Sequence, residues 1–380
     1  MDNNSTNSNN SNQESITVDD IVRQITNKDI PESLDDIYTM CTLGSRTNAT
    51  GNHFFGLNHQ QTPTLIPHNT DQNGYVFFTR PRLNLTTGNI INSRKLTNLL
   101  DTNSRSLARI VRNTLDPVLA KNVSKYPCPF VDPENVFIPF LTNSLLTMDS
   151  PPSTTMGVYT SGTPGVYKEV FSMADDIVID HSAYNINCTF RNTQGNPFLL
   201  LFYSWMLYTS LQYLDEGPIP YYDDLNNNRM NYNTRIYRLV MDQSKRYVQH
   251  IWAPLYAFPT AIETGSIFSY DIINKPLNMD MSTLSIQFQC VGNYFNDHLL
   301  IKQFNTSVCL LNRLMRDDSR NKSMILIPFS LRKIFNNMGY PRINPDNNEL
   351  EWWITKDQYN SKKYLIEKLS NYNNNILKKQ

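Results

Sequence analysis

Leu284-Ser285-Ile286-Gln287-Phe288-Gln289-Cys290 alternates apolar and polar side chains at every step. A strand has a side-chain period of two, so Leu284, Ile286, Phe288 and Cys290 share one face while Ser285, Gln287 and Gln289 share the other. The stretch Tyr184 to Phe190 repeats the pattern, with Tyr184, Ile186, Cys188 and Phe190 on one side. Sheets with one dry and one wet face suit an antiparallel sandwich or barrel.

Working outward, Gly74-Tyr75-Val76-Phe77-Phe78-Thr79 is rich in β-branched and aromatic residues and is stopped by Pro81, which predicts another strand. Arg235 to Asp242 and Tyr247 to Trp252 flank a short polar turn, a hairpin pattern. Two helical stretches accompany the strands. Phe198 to Leu214 is apolar and aromatic but broken by Ser204, Thr209, Ser210 and Gln212, and reads as a buried helix and not a membrane span, entered through Gly195-Asn196-Pro197. Ser93 to Asn113 reads as one helix with a stripe of Leu96, Leu99, Leu100, Leu107 and Ile110, ending at an Asp116-Pro117 turn.

Pro151 to Gly165, dense in Pro, Gly, Ser and Thr, is the expected flexible loop or hairpin tip, about residues 150–166. The predicted organisation is a polar N-terminal arm with a short helix (1–38), a β-rich core (39–355) and a helical C-terminal tail (356–380). Ile16 to Tyr38 holds Val18, Ile21, Val22 and Ile25 at helical spacing and reads as a segment that docks on a neighbouring subunit. The first residues, MDNNSTNSNNSNQES, show neither the basic nor the apolar region of a secretory signal. No fixed-period repeat is visible, which argues against solenoids and propellers.

The chain has 380 residues and 40% hydrophobic content, enough to fill sizeable cores. Lys plus Arg and Asp plus Glu both total 34, so overall charge gives no long-range pull toward nucleic acid or an anionic membrane. The five cysteines are scattered, without metal-ligand spacing, which suits a reducing compartment.

Candidate chemistry is sparse. His53, His59 and His68 share a loop at a spacing that fits neither a helix face nor a zinc finger. Asp175, Asp176, Asp180 and His181 flank Ile177-Val178-Ile179, and Asp215, Glu216, Asp223 and Asp224 surround Gly217-Pro218-Ile219-Pro220-Tyr221-Tyr222. Acids so placed are the basis for the alternative reading, a carbohydrate-active or metal-dependent enzyme. The common nucleotide, dinucleotide and serine-hydrolase motifs are missing, and no cofactor or metal is called for. Arg235-Ile236-Tyr237-Arg238 and Lys245-Arg246-Tyr247 interleave cations with aromatics, a pattern that stacks on nucleic acid but more often makes a solvated hairpin edge.

Five segments taken in order carry a family resemblance: GYVFFTRPRLNL (Gly74 to Leu85), INCTFRNTQGNPFLLLFYSWMLYTSLQYLDEG (Ile186 to Gly217), RIYRLVMDQSKRYVQHIWAPLYAFPTAIETGSIFSYD (Arg235 to Asp271), LSIQFQCVGNYFNDHLLIKQFN (Leu284 to Asn305) and GYPRINPDNNELEWWI (Gly339 to Ile354). Together they resemble tail-tube-like virion structural proteins of large contractile-tailed bacteriophages. The fold then expected is α+β and β-rich, an antiparallel sandwich or barrel with a packed helix and extended terminal arms. The resemblance implies a virion protein assembled in the host cytoplasm, not an enzyme, that forms a ring, hexameric by analogy, as tube, terminator, neck or baseplate subunit. It would contact neighbouring tail, sheath, neck or baseplate proteins and pass DNA transiently and non-specifically through its lumen, with no membrane partner. Arg80, Arg82, Trp252 and Tyr270, from the matching segments, are the expected assembly residues.

Overall fold

The long alternating strands pair with each other. In the computed structural model, which describes residues 73–162, 171–177, 182–214, 217–264, 268, 282–335 and 338–364, the strands are β1 (Gly74–Phe78), β2 (Leu145–Met148), β3 (Met156–Thr160), β4 (Ser172–Ile177), β5 (Ala183–Arg191), β6 (Ile236–Met241), β7 (Val248–Ala253), β8 (Tyr256–Ile262), β9 (Thr283–Val291), β10 (Tyr294–Phe295), β11 (Met324–Leu326), β12 (Tyr340–Ile343) and β13 (Leu350–Thr355). The helices that matter below are α1 (Leu107–Leu115), α2 (Pro117–Ala120), α3 (Pro197–Tyr213), α4 (Tyr222–Asn226) and α5 (His298–Leu311).

Sheet 1 runs β2-β5-β9-β8, all antiparallel. Its register sets Ile186 opposite Phe288 and Cys188 opposite Ile286 on the dry face, and Asn187 opposite Gln287 and Asn185 opposite Gln289 on the wet one. Both strands therefore bury the side that their alternation assigns inward: Ile186, Cys188, Phe190, Leu284, Ile286, Phe288 and Cys290 are all buried. Helix α3 lies across that face, with Phe198 stacked on Phe190 at 5.2 Å and Phe202 edge-on to Phe288 at 5.8 Å. It enters through Gly195 (φ 91°) and Asn196 (φ 47°), with Pro197 in its first turn, where a missing N–H costs nothing.

Sheet 2 runs β1-β6-β7-β10 and is covered on both faces. Val76, Phe78, Ile236 and Trp252 join the core shared with sheet 1 and α3, and Phe78 meets Phe190 and Phe288 at 5.9 and 5.7 Å. Phe77, Tyr237, Leu239 and Met241 point the other way, toward Leu300, Phe304 and Val308 of α5 and residues of the third sheet, β11-β13-β12. Burial on both sides is why GYVFF shows no polar alternation. The expected sandwich is thus present, formed by sheets 1 and 2.

The barrel is not closed among the described residues: sheet 1 ends at β2 and β8, and the backbone link to sheet 2 is an isolated bridge between Thr234 and Ala257. The expected single helix over Ser93 to Asn113 is also corrected. It is a 3-10 turn at Thr97–Leu100, then a break, then α1. The break is chemical: Asp101 and Asn103 side chains accept from the backbone N–H groups of Asn103 and Arg105, competing with helical bonds, and Ser106 then caps α1 by accepting from Arg109 N. Asp116-Pro117, expected as a turn, starts α2 as its N-cap and first residue.

Residues 156–160 of the expected Pro151 to Gly165 loop form β3, which pairs with β4 in a separate two-stranded ribbon. The N-terminal arm, the loop that holds His53, His59 and His68, and residues 163–165 lie outside the described residues. Of the C-terminal tail, residues 356–364 are helical and the rest is outside the described residues.

Candidate assembly surfaces

The segment that leaves β1, Thr79-Arg80-Pro81-Arg82, builds a polar knot from sequence-distant parts. Arg80 is buried, and its guanidinium donates to the carbonyls of Asn113, Thr114 (2.8 Å), Asp132 (3.3 Å) and Asn135 (3.1 Å). Asn113 and Thr114 lie in the last turn of α1, whose carbonyls lack helical partners and carry the negative end of the helix dipole. Burial lowers the Arg80 pKa to about 10, against the opposing pull of Asp116 and Asp132, so it stays charged at neutral pH.

Arg82 is one-third exposed and bridges both acids of the α4 turn, Asp224 at 3.0 Å and Asp223 at 3.4 Å, with Tyr221 under its guanidinium at 5.7 Å. Asp116, fully buried, caps α2 through Leu119 N and also accepts from Leu85 N (2.9 Å) and the Tyr221 hydroxyl (2.7 Å). Burial pushes its pKa up, and those three bonds pull it back. The knot fastens α1, α2, α4 and the loop before α4 to the core.

Of the expected assembly residues, then, Arg80 is enclosed and Arg82 reaches the surface. Trp252 is buried in the sheet 1 and sheet 2 core, where its indole N–H donates to Asn293. Tyr270 lies outside the described residues. The structure places Arg80 and Arg82 in one polar knot, and Trp252, on β7, is not part of it.

The acids of the enzyme alternative do not converge among the described residues. Asp223 and Asp224 are held by Arg82, and Asp175 and Asp176 are exposed on β4. Asp180, His181, Asp215, Glu216, His53, His59 and His68 lie outside the described residues. Among the described residues no three His, Cys, Asp or Glu side chains gather into a group that could hold a metal, and no helix is long and apolar enough to cross a membrane.

Two further surfaces stand out among the described residues. The wet face of sheet 1 is a ladder of Asn185, Asn187, Thr189, Ser285, Gln287 and Gln289, and Arg191 is the single charged residue in the four strands. The ribbon β3-β4 exposes Met156, Val158, Tyr159 and Met173, with Phe171 just before it. Sequence reading missed Asp116 and Tyr221 as the centre of the knot. The Asp-Pro pair was the available signal, since Asp at an N-cap followed by Pro marks a helix start.

The chain matches, over residues 11–373, the family described as "Putative phage tail tube protein", and it belongs to that family. It is a structural protein of the phage tail.

No curated protein sequence matches the chain. Among solved structures it is similar to the anti-feeding prophage cap (AFP tube terminating cap), at 13% identity and a TM-score of 0.25 over 42% of this chain and 81% of that one. It is also similar to the sheath/tube terminator of the PVC extracellular contractile injection system in the extended state (12% identity, TM-score 0.23, 40% of this chain and 91% of that one). A third is the sheath-tube complex of the same system (16%, 0.22, 42% and 82%).

Proposed function

We propose that this protein forms a ring in a contractile phage tail, as tube, terminator, neck or baseplate subunit, and that DNA passes through the ring without chemistry. The observation that carries this is sheet 1. One face is dry and bound to α3 and sheet 2, while the other is wet, lined by amides and hydroxyls, with the Asp149 carboxylate on Asn187 and no cation along its centre among the described residues. A conduit wall needs such a face, because each cation on it would hold a phosphate and slow passage. Among the described residues β2 pairs on one side only, and its other edge, with a bulge and the exposed Leu146, suits pairing with a neighbouring copy, so that ring closure leaves no such edge exposed.

Arg82, at the surface, and the ribbon β3-β4 are the proposed contact residues of the described part, with the Ile16 to Tyr38 arm added from sequence. A hexameric ring contacting sheath, neck or baseplate proteins, assembled in the host cytoplasm, remains the reading by family analogy. Catalysis is not part of it, since the candidate carboxylates within the described residues are paired with Arg82 or exposed on a ribbon.

Electron microscopy of the purified protein tests the reading. Rings or tubes of uniform diameter are expected, and a monomer that persists at all concentrations overturns it.

A further inference from the structure

The ribbon β3-β4 and a pocket beside the polar knot are complementary in charge and in apolar character. The register places Tyr159 opposite Met173, and Asp175 lies two residues further along the same face, above Gly157, where a Cβ would sit 3.1 Å from the Asp175 Cβ. Tyr159 and Met173 are both 70% exposed and face each other across the ribbon, a contiguous apolar pair on the surface. The described strands of the ribbon, Met156–Thr160 and Ser172–Ile177, contain Asp175 and Asp176 and no base.

The pocket, of about 440 Å³, has the opposite character. Its cations are Arg80, Arg82, Lys121 and Arg229, against the single carboxylate of Asp224, which Arg82 occupies. Arg80 is spent on carbonyls, but Lys121 and Arg229 make no ion pair among the described residues. Exposed Val118, Met230 and Leu310 complete the lining. A second groove, of about 500 Å³ beside α5, is also cationic, with Arg320 and Arg342 paired with Asp317 and Glu351 and Lys302 and Arg316 in no ion pair among the described residues, but no large apolar side chain is exposed in it. The first pocket therefore matches an acidic, aromatic and apolar ribbon, and the second does not.

We propose that the β3-β4 ribbon of one copy docks in this pocket of the next, with Tyr159 and Met173 against Val118, Met230 and Leu310, and Asp175 and Asp176 against Lys121 and Arg229. The two surfaces are different parts of the same chain, so the contact is head-to-tail, the kind that closes into rings or continues as a stack. It deepens the ring-forming reading and rests on it. Burial, then the neighbouring Arg313, lower the Lys121 pKa against the opposing pull of Glu134.

The test is a charge swap in full-length protein: D175K/D176K reverses the ribbon, and K121E/R229E reverses the pocket. All four positions are exposed, so both variants should keep the wild-type circular dichroism and melting behaviour. Each alone should need on the order of tenfold more protein to assemble, because like charges then face each other. Their equimolar mixture should assemble as the wild type does, since each reversed ribbon meets a reversed pocket. If wild type forms rings and D175K/D176K forms them equally well, or if the mixture stays unassembled, the contact is overturned while the ring reading stands. Wild type that never assembles overturns both. If K121E/R229E assembles normally but loses binding of duplex DNA, the pocket belongs to phosphate and the contact is again overturned.

Discussion

The Tyr221 hydroxyl donates to the buried carboxylate of Asp116 at 2.7 Å, joining positions 105 residues apart. This bond ties the loop before α4 to the start of α2, and Tyr221 also lies beneath Arg82. Tyr221→Phe keeps the ring and removes the donor, leaving Asp116 with Leu85 N and Leu119 N. The expected loss is about 1–2 kcal/mol, because a charged buried acceptor loses one partner. Urea denaturation measures it, and a change within error would mean the bond adds nothing.

Arg82→Leu should cost more. Asp224 is buried, and burial already raises its pKa against the opposing pull of Arg82. Without Arg82 the folded-state value rises further above the ordinary 3.8. A carboxyl raised on folding binds protons more tightly in the native state, so stability falls as pH rises between the unfolded and folded values. The deficit of Arg82→Leu should therefore be larger at pH 7, about 2 kcal/mol after allowance for the partial exposure of Arg82, than at pH 4. Equal deficits at the two pH values would refute the coupling.

The sandwich was legible where one face of a strand is wet. Leu284 to Cys290 and Tyr184 to Phe190 alternate because solvent lies on one side only, and both became paired central strands. Sheet 2 was legible as strands from the β-branched and aromatic residues of Gly74 to Thr79, but not as a doubly covered layer, which depends on α5 packing from the far side. The two-residue β10 is too short to show a period. The helix over Ser93 to Asn113 was misread because the leucine spacing continues across Asp101 to Ser106, where side chains take the backbone donors. Arg80 and Arg82 of the knot stand out through the family motif, whereas Lys121 and Arg229 of the neighbouring pocket carry no signal of their own and are brought together by the fold alone.

Gly74 opens β1 opposite Val240, and a Cβ there would lie 1.8 Å from the Leu239 carbonyl oxygen. That neighbour is backbone in a central strand and cannot give way as a side-chain tip would. Gly74→Ala should destabilise by roughly 3 kcal/mol or more, through displacement of the β1-β6 ladder. The expected result is a large fall in melting temperature, or insoluble protein. A wild-type melting curve would show that β1 can shift at little cost.

The wet face of sheet 1 offers the most direct test of the conduit reading. Asn185 is exposed and Gln287 half-buried, on adjacent strands, with no ion pair to either. Replacing both with lysine should alter stability by no more than about 0.5 kcal/mol, since solvated positions away from packed features tolerate exchange. The assembled form should change instead. If this face lines the lumen, rings or tubes of the Asn185→Lys, Gln287→Lys variant should retain duplex DNA at low salt and release it steeply as salt rises, because each lysine–phosphate contact displaces a condensed counterion. Wild-type assemblies should show no such retention. Equal DNA retention by both would mean that the face points away from the passage, toward a neighbouring protein layer.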